Sequence, residues 1–323
     1  MTRTLYYADH CPIPLPPQHK FPIEKYRILR EMLIADAYFQ LQPAPFADRS
    51  DVELVHDPKY VDAFLRGTLS DAAMRKIGFP WSEMLVRRTM ASVGGTLAAT
   101  RQALATGWGG TLAGGTHHAF AGEGAGFCVF NDIAIAIAKL RSAGLVRRAA
   151  VVDLDVHQGD GTAHIFRDQP EVLTLSIHCR NNFPLRKQQS TIDIELDAGI
   201  EDQAYLEILQ QVLVQVQSFK AEIVFYQSGV DGLESDALGK LSLTLAGLKE
   251  RDRMLMEFAR DLRIPLVMTL GGGYSRPIAL TAEAHANTFR TAAQVLNQHS
   301  VPLGCPESDS QGTNDLFFNS STD

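Results

Sequence analysis

The sequence predicts an α/β fold of three layers, α/β/α, in which helices cover both faces of a mostly parallel sheet. Three observations predict it. Short β-rich apolar runs alternate with helical segments along most of the 323 residues. Several runs are apolar without a break, Ala149-Ala150-Val151-Val152 among them, as strands buried on both faces are. Polar residues gather just after the runs, where a parallel sheet presents its carboxyl ends to ligands.

The elements follow in order. Residues 9–22, rich in Pro and His, read as an irregular loop, and a helix over 22–36 is entered just after Pro22. Further helices are predicted over 82–105, 132–143, 161–168, 202–218, 243–262 and 279–297. Strands are predicted over Gly110–Ala113, Ala149–Val156, Glu171–Ile177, Glu222–Gln227 and Pro265–Leu270. Asp132 reads as the N-cap of the helix Ile133–Arg141. No repeat or long linker divides the chain, so residues 1–303 read as a single domain. From 304 the composition turns to Ser, Asn, Asp and Gly, which predicts a disordered tail over 304–323.

Composition narrows the function classes. With 45% hydrophobic and 21% charged residues the chain has the make-up of a soluble globular protein. Cys11, Cys128, Cys179 and Cys305 form no C-x-x-C pair, so neither a zinc ribbon nor a disulfide framework is expected, and a reducing compartment is. No window approaches the ~20 apolar residues of a membrane span, and the N-terminus lacks a signal-like apolar stretch. A cytoplasmic protein with no membrane partner is the expectation. The net charge of −7 argues against broad nucleic-acid binding and does not exclude a lysine-bearing substrate, which an acidic surface would attract.

Four strand ends carry the chemistry. They are Gly114-Gly115-Thr116-His117-His118, Asp153-Leu154-Asp155-Val156-His157, Ser228-Gly229-Val230-Asp231-Gly232 and Gly271-Gly272-Gly273-Tyr274. Asp155 and His157, two apart, should leave one face of a strand. Buried carboxylates cost several kcal/mol unless paired or bound to metal. With Asp231 they make a set of two carboxylates and one imidazole, which leaves a tetrahedral cation one open position. Zinc suits that mixed set best, with Fe2+ as a substitute. Two carboxylates largely neutralise a dication, so water activation there needs a protein base, which the His117-His118 pair can supply. The Tyr274 hydroxyl can hydrogen-bond a developing oxyanion. No phosphate-binding G-x-x-x-x-G-K-[ST] or nucleophile-elbow G-x-S-x-G competes with this reading.

These motifs, with Gly126-Phe127-Cys128-Val129-Phe130-Asn131-Asp132, resemble the histone deacetylase superfamily over roughly residues 5–297. The run Val230-Asp231-Gly232-Leu233-Glu234-Ser235-Asp236-Ala237-Leu238-Gly239 is most similar to its class IV branch and bacterial relatives. The resemblance implies an arginase/deacetylase-type domain whose sheet has about eight strands. It implies zinc held by Asp155, His157 and Asp231, with His118 as general base and then acid, and His117 assisting electrostatically. Asp153 and Asp160 would be the carboxylate partners of His117 and His118, and Tyr274 would polarise the acyl carbonyl. Phe127 and Phe183 would line a narrow tunnel, unless they are ordinary core aromatics, and the Gly126 carbonyl would accept the amide N–H. A structural potassium ion would sit at Asp153, the backbones of Asp155, His157 and Ile177, and the Ser176 hydroxyl. Arg27 would correspond to a residue at the tunnel foot. In one respect the chain departs from class I members, whose rim-loop Asp grips the substrate backbone: here Gly78-Phe79-Pro80-Trp81-Ser82-Glu83 occupies the region.

The implied activity is removal of an acetyl or longer acyl group from N-acyl-lysine of proteins or peptides. The alternative substrate is a small acyl-amine, such as an acylpolyamine or a secondary metabolite. A binuclear manganese ureohydrolase on the same fold would need D-x-H-x-D and D-x-D ligand runs. Here the acid after His157 comes three residues on, at Asp160, and no Asp stands two after Asp231. A non-catalytic binding protein is disfavoured, because no ligand of the set is lost.

Overall fold

The computed structural model describes residues 2–297; the expected tail over 304–323, with Cys305, lies outside them. Eight strands form one sheet in the order β2-β1-β3-β8-β7-β4-β5-β6, and every pairing is parallel. The strands are β1 (Arg3–Tyr7), β2 (Phe39–Pro43), β3 (Trp108–Thr111), β4 (Ala149–Asp153), β5 (Val172–Cys179), β6 (Ile192–Leu196), β7 (Ile223–Gln227) and β8 (Leu266–Thr269). The helices are α1 (Glu24–Ile34), α2 (Arg49–Val52), α3 (Pro58–Arg66), α4 (Asp71–Ile77), α5 (Glu83–Thr106), α6 (Asp132–Ser142), α7 (Asp160–Phe166), α8 (Asp202–Phe219), α9 (Leu245–Asp261) and α10 (Ile278–Leu296).

The apolar runs alternate between two cores. Ala150, Val152, Val224, Tyr226, Leu266 and Met268 face the layer of α1, α8, α9 and α10. Their neighbours Ala149, Val151, Ile223, Phe225 and Val267 face α3, α5 and α6 on the other side. Burial on both faces is why these runs lack the polar alternation of a half-exposed strand. Helix ends carry the expected chemistry. Ser82 accepts from Leu85 N at 3.1 Å to start α5, and Gly107 closes it at φ +91°.

Three strands and three helices go beyond the sequence reading. β2 and β6 are the sheet edges and β1 lies beside β2, and all three mix buried with part-exposed residues. Their apolar signal is diluted accordingly. α2, α3 and α4 are too short for a sustained helical period, although Asp57-Pro58 and Ser70 supply start signals for α3 and α4. The predicted strand Ala149–Val156 is also shorter than expected: its ladder stops at Asp153. Asp155 and His157 therefore sit in the bend that follows, not on a strand face.

The strand order decides where the site lies. β3, β8, β7 and β4 are contiguous in the middle of the sheet. These are the four strands whose carboxyl ends bear the polar motifs, so four loops distant in sequence open onto one stretch of edge. Among the described residues no helix is long and apolar enough to cross a membrane. Cys11, Cys128 and Cys179 are free and buried.

Candidate metal centre

Asp155, His157 and Asp231 meet. His157 Nδ1 lies 3.1 Å from Asp155 Oδ1 and 3.0 Å from Asp231 Oδ2. One donor atom from each of the three lies within 4.8 Å of the others. The backbone braces them: Val156 N–H donates to Asp231 Oδ1 at 2.9 Å, and Gly272 N–H to Asp155 Oδ2 at 2.7 Å. Burial opposes the imidazolium, yet hydrogen bonds to both carboxylates carry His157 up to about 10. Burial and the nearby Asp155 charge push Asp231 up to about 7. The Asp155 carboxyl lies well below its usual range, because His117 and His157 outweigh its burial. Two carboxylates thus grip one positive charge on an imidazole. A divalent cation fits that place by displacing the proton, since ligation requires neutral imidazole and ionised carboxylates. Two oxygens and a nitrogen, all buried and converging, are a donor set for zinc or ferrous iron.

The two adjacent histidines sit beside this triad in opposed states. His117 Nδ1–H donates to Asp153 Oδ2 at 2.7 Å, and its Nε2 lies 3.9 Å from Asp155 Oδ1. Burial lowers its pKa, but Asp153 and Asp155 raise it to about 9. His118 Nδ1–H donates to Asp160 Oδ1 at 2.7 Å. Here burial and the His117 charge prevail over Asp160 and hold the ring down at about 4. The same burial thus leaves two rings with centroids 4.1 Å apart shifted in opposite directions, according to the charges beside each.

A cavity of about 230 Å³ reaches the triad. His117, His118, Gly126, Phe127, Phe183 and Tyr274 are among its walls. The Phe183 ring meets His118 edge-on at 4.8 Å, and Phe127 lies 6.3 Å from the Tyr274 ring. Phe183 keeps 44% of its surface exposed, so it stands at the mouth and is not a core aromatic. Gly126 (φ +54°) lies against His118, where a Cβ would come within 2.7 Å of Cδ2. Burial and the two carboxylates push the Tyr274 phenol far above its usual range, which keeps its proton on. Ser176 pairs in register with Asp153, and its Oγ lies 3.0 Å from His178 Nδ1; Ile177 follows, fully buried. Asp153 and Asp160 each accept from a histidine.

Two residues depart from their expected positions. Asp132 is not the N-cap of α6. Asn131 is, its side chain accepting from Ala134 N–H at 3.0 Å. Asp132 turns inward instead and accepts from Gly115 N, Thr116 N and the hydroxyls of Thr96 and Thr116. Arg27 is not at the tunnel foot: it is exposed and paired with Glu31 at 2.8 Å. Lys25, two residues earlier, is buried instead, donating to Gly271 O at 3.1 Å and Gly273 O at 3.4 Å, with its ammonium 5.3 Å from the Tyr274 ring centroid. Its signal was present in the sequence. Lys25, Leu29 and Leu33 fall at i, i+4 and i+8, so a cation stands on the apolar stripe of α1.

Comparison with known proteins places the chain in a family and a fold. Residues 19–290 match the family model described as histone deacetylase domain. The chain is 44% identical over 296 residues to an uncharacterised protein of Picosynechococcus sp., covering 90% of this chain and 98% of that one. It is 31% identical over 278 residues to histone deacetylase 2 of Arabidopsis thaliana, covering 81% of this chain and 71% of the relative. In fold it is similar to the crystal structure of the HDA15 HD domain, with a TM-score of 0.71 and 22% identity over 92% of this chain and 95% of that one.

Proposed function

Because the chain belongs to the histone deacetylase family, we propose that it is a zinc-dependent amidohydrolase that removes acetyl or longer acyl groups from N-acyl-lysine. The observation that carries the proposal is the buried carboxylate–imidazole–carboxylate triad beside two adjacent histidines, each hydrogen-bonded to its own carboxylate, all on one cavity. Asp155, His157 and Asp231 would hold the zinc, with Fe2+ as a substitute. When bound, the cation supplies Lewis-acid polarisation of the acyl carbonyl and lowers the pKa of water.

The remaining work falls to side chains. His118 is neutral, and its Nδ1–H is committed to Asp160, so Nε2 is the free basic atom. It takes the proton of the attacking water and later returns it to the leaving amine. His117 donates Nδ1–H to Asp153, which favours its protonated form, and it would stabilise negative charge that develops beside it. The Tyr274 phenol, held protonated, donates a hydrogen bond to the carbonyl oxygen as it becomes an oxyanion. The aromatic walls Phe127 and Phe183 exclude water from the lysyl stem, and the Gly126 carbonyl accepts the amide N–H. Potassium would sit against Asp153 and the Ser176 hydroxyl, with carbonyls of Asp155, His157 and Ile177 completing its shell.

A small acyl-amine is the second reading, and one observation favours it. The stretch 78–83, where a peptide-gripping Asp would stand, is taken up by helix ends: Gly78 closes α4 and Ser82 caps α5, while Trp81 Nε1 donates to Phe64 O. Zinc-loaded protein should hydrolyse acetyl- and fatty-acyl-lysine peptides, with one zinc per chain by elemental analysis. Tyr274→Phe should lower kcat about 10²–10³-fold with zinc retained. Metal-replete protein that turns over no acyl-lysine peptide would sink the peptide reading. A small acyl-amine favoured by ~10³ in kcat/KM, about 4 kcal/mol, would replace it with the second.

A further inference from the structure

We infer that Arg251 is a positioning residue that fixes the separation of the two loops carrying the carboxylate ligands. It belongs to α9 and is fully buried. Its Nη1 donates to Gly229 O at 2.7 Å and to Leu154 O at 3.2 Å. Leu154 immediately precedes Asp155, and Gly229 stands two residues before Asp231. Gly229 itself lies against the Asp155 carboxylate, close enough that a Cβ there would collide with Oδ2. One nitrogen therefore joins both ligand loops at their bases.

The bridge stands where the sheet stops. The β4–β7 ladder ends at the pair Asp153–Gln227, and the last main-chain bond between the two segments runs from Leu154 N–H to Gln227 O at 3.1 Å. Beyond it, the guanidinium takes over the cross-strand role by donating to a carbonyl on each segment. Its own position is fixed from below. Nε and Nη2 both donate to Asp252 Oδ1, at 3.0 and 2.8 Å. Asp252 in turn accepts from the Tyr226 hydroxyl of β7 at 2.5 Å and from the Thr288 hydroxyl of α10 at 2.6 Å.

Packing alone does not account for this residue. Arg251 shares the buried stripe of α9 with Leu248 and Leu255, where an apolar side chain would fill the space without desolvating a charge. What only a guanidinium supplies is the fork: two nitrogens on Asp252 and a third on two carbonyls. The single ammonium of lysine cannot hold both at once.

The inference rests on the zinc reading above and deepens it, and zinc affinity tests it without recourse to turnover. Zinc dissociation constants would be measured on metal-free protein by competition with a chromophoric chelator, alongside thermal melting. Arg251→Lys should melt lower, because it leaves buried acceptors unpaired, and the folded variant should also bind zinc about 10–100-fold more weakly, the usual effect of removing a group that orients metal ligands. Thr288→Val, which loosens Asp252 while leaving the bridge in place, should weaken zinc less. A merely structural role would lower the melting temperature and leave the affinity of the folded protein alone. A folded Arg251→Lys protein with zinc affinity within twofold of wild type overturns the inference and leaves the proposed function standing. Should Arg251→Lys fail to fold, Arg251→Met, which fills the buried stripe and removes the bridge, takes its place, and zinc affinity within twofold of wild type there overturns the inference instead. Wild-type protein that binds no zinc overturns both readings together.

Discussion

Asp132 is the buried anchor of the turn that carries His117 and His118. Each of its oxygens accepts from two donors: Oδ1 from Thr116 N and Oγ1 at 2.8 and 2.6 Å, Oδ2 from Gly115 N and Thr96 Oγ1 at 3.0 and 2.5 Å. Gly115 must be glycine, since at φ +74° a Cβ would run into the Gln227 side chain. In Asp132→Asn one acceptor becomes an NH2 that faces a backbone N–H. An orphaned buried donor costs about 1–3 kcal/mol. The variant should lose that much stability in urea unfolding, and kcat should fall because the histidines lose their fixed placement. A variant with lower stability but wild-type kcat would show that the anchor serves the fold alone. The sequence pointed to Asp132 as a helix cap because Asp before an apolar run is a start signal. Which of the neighbours Asn131 and Asp132 caps, and which turns inward, depends on the Gly115-Thr116 turn brought against them, and that turn is remote in sequence.

Helix α5 spans Glu83–Thr106 and backs the strand that launches the histidine turn. Its start rests on one side chain, Ser82 Oγ, which accepts from Leu85 N–H. Ser82→Ala should cost about 1 kcal/mol of unfolding free energy and leave zinc affinity unchanged, as chelator competition would register. A change in metal affinity would mean that the rim communicates with the centre. Long elements of this kind were legible in the sequence, because burial on one helical stripe or on both strand faces writes a period or an unbroken apolar run. The edge strands β2 and β6 were not, since among the described residues one side of each has no partner strand, and half-exposed residues tolerate polar side chains. Arg251 and Lys25 were visible as cations on apolar helical stripes, but the stripe does not say which carbonyls they meet.

Across the whole molecule, His56 ties the segment before α3 to the loop that enters α6. Its Nε2 accepts from Asn131 N–H at 2.9 Å, and its Nδ1–H faces Ala121 O at 3.2 Å. Burial holds its pKa down at about 4, against 6.5 in an exposed ring. Between those values the unfolded chain takes up a proton that the folded protein refuses. His56 therefore contributes stability that is complete above pH 6.5 and is lost as pH falls toward 4, about 3 kcal/mol in all. His56→Gln, which keeps an acceptor without titrating, should flatten the urea midpoint over that range; an equally steep profile would count against the assignment. The sequence by itself determined the layered α/β class, the four polar strand ends and the residue types of the candidate metal triad. Those features are local: a buried strand must be apolar, and acids or imidazoles at its end need a partner. Strand order, the bend that carries Asp155 and His157 past the end of β4, and the inward turns of Asp132, Lys25 and Arg251 were decided only in the tertiary structure. Each depends on which carbonyl or carboxylate a distant segment brings within hydrogen-bonding reach, and nothing in the local chain encodes that distance.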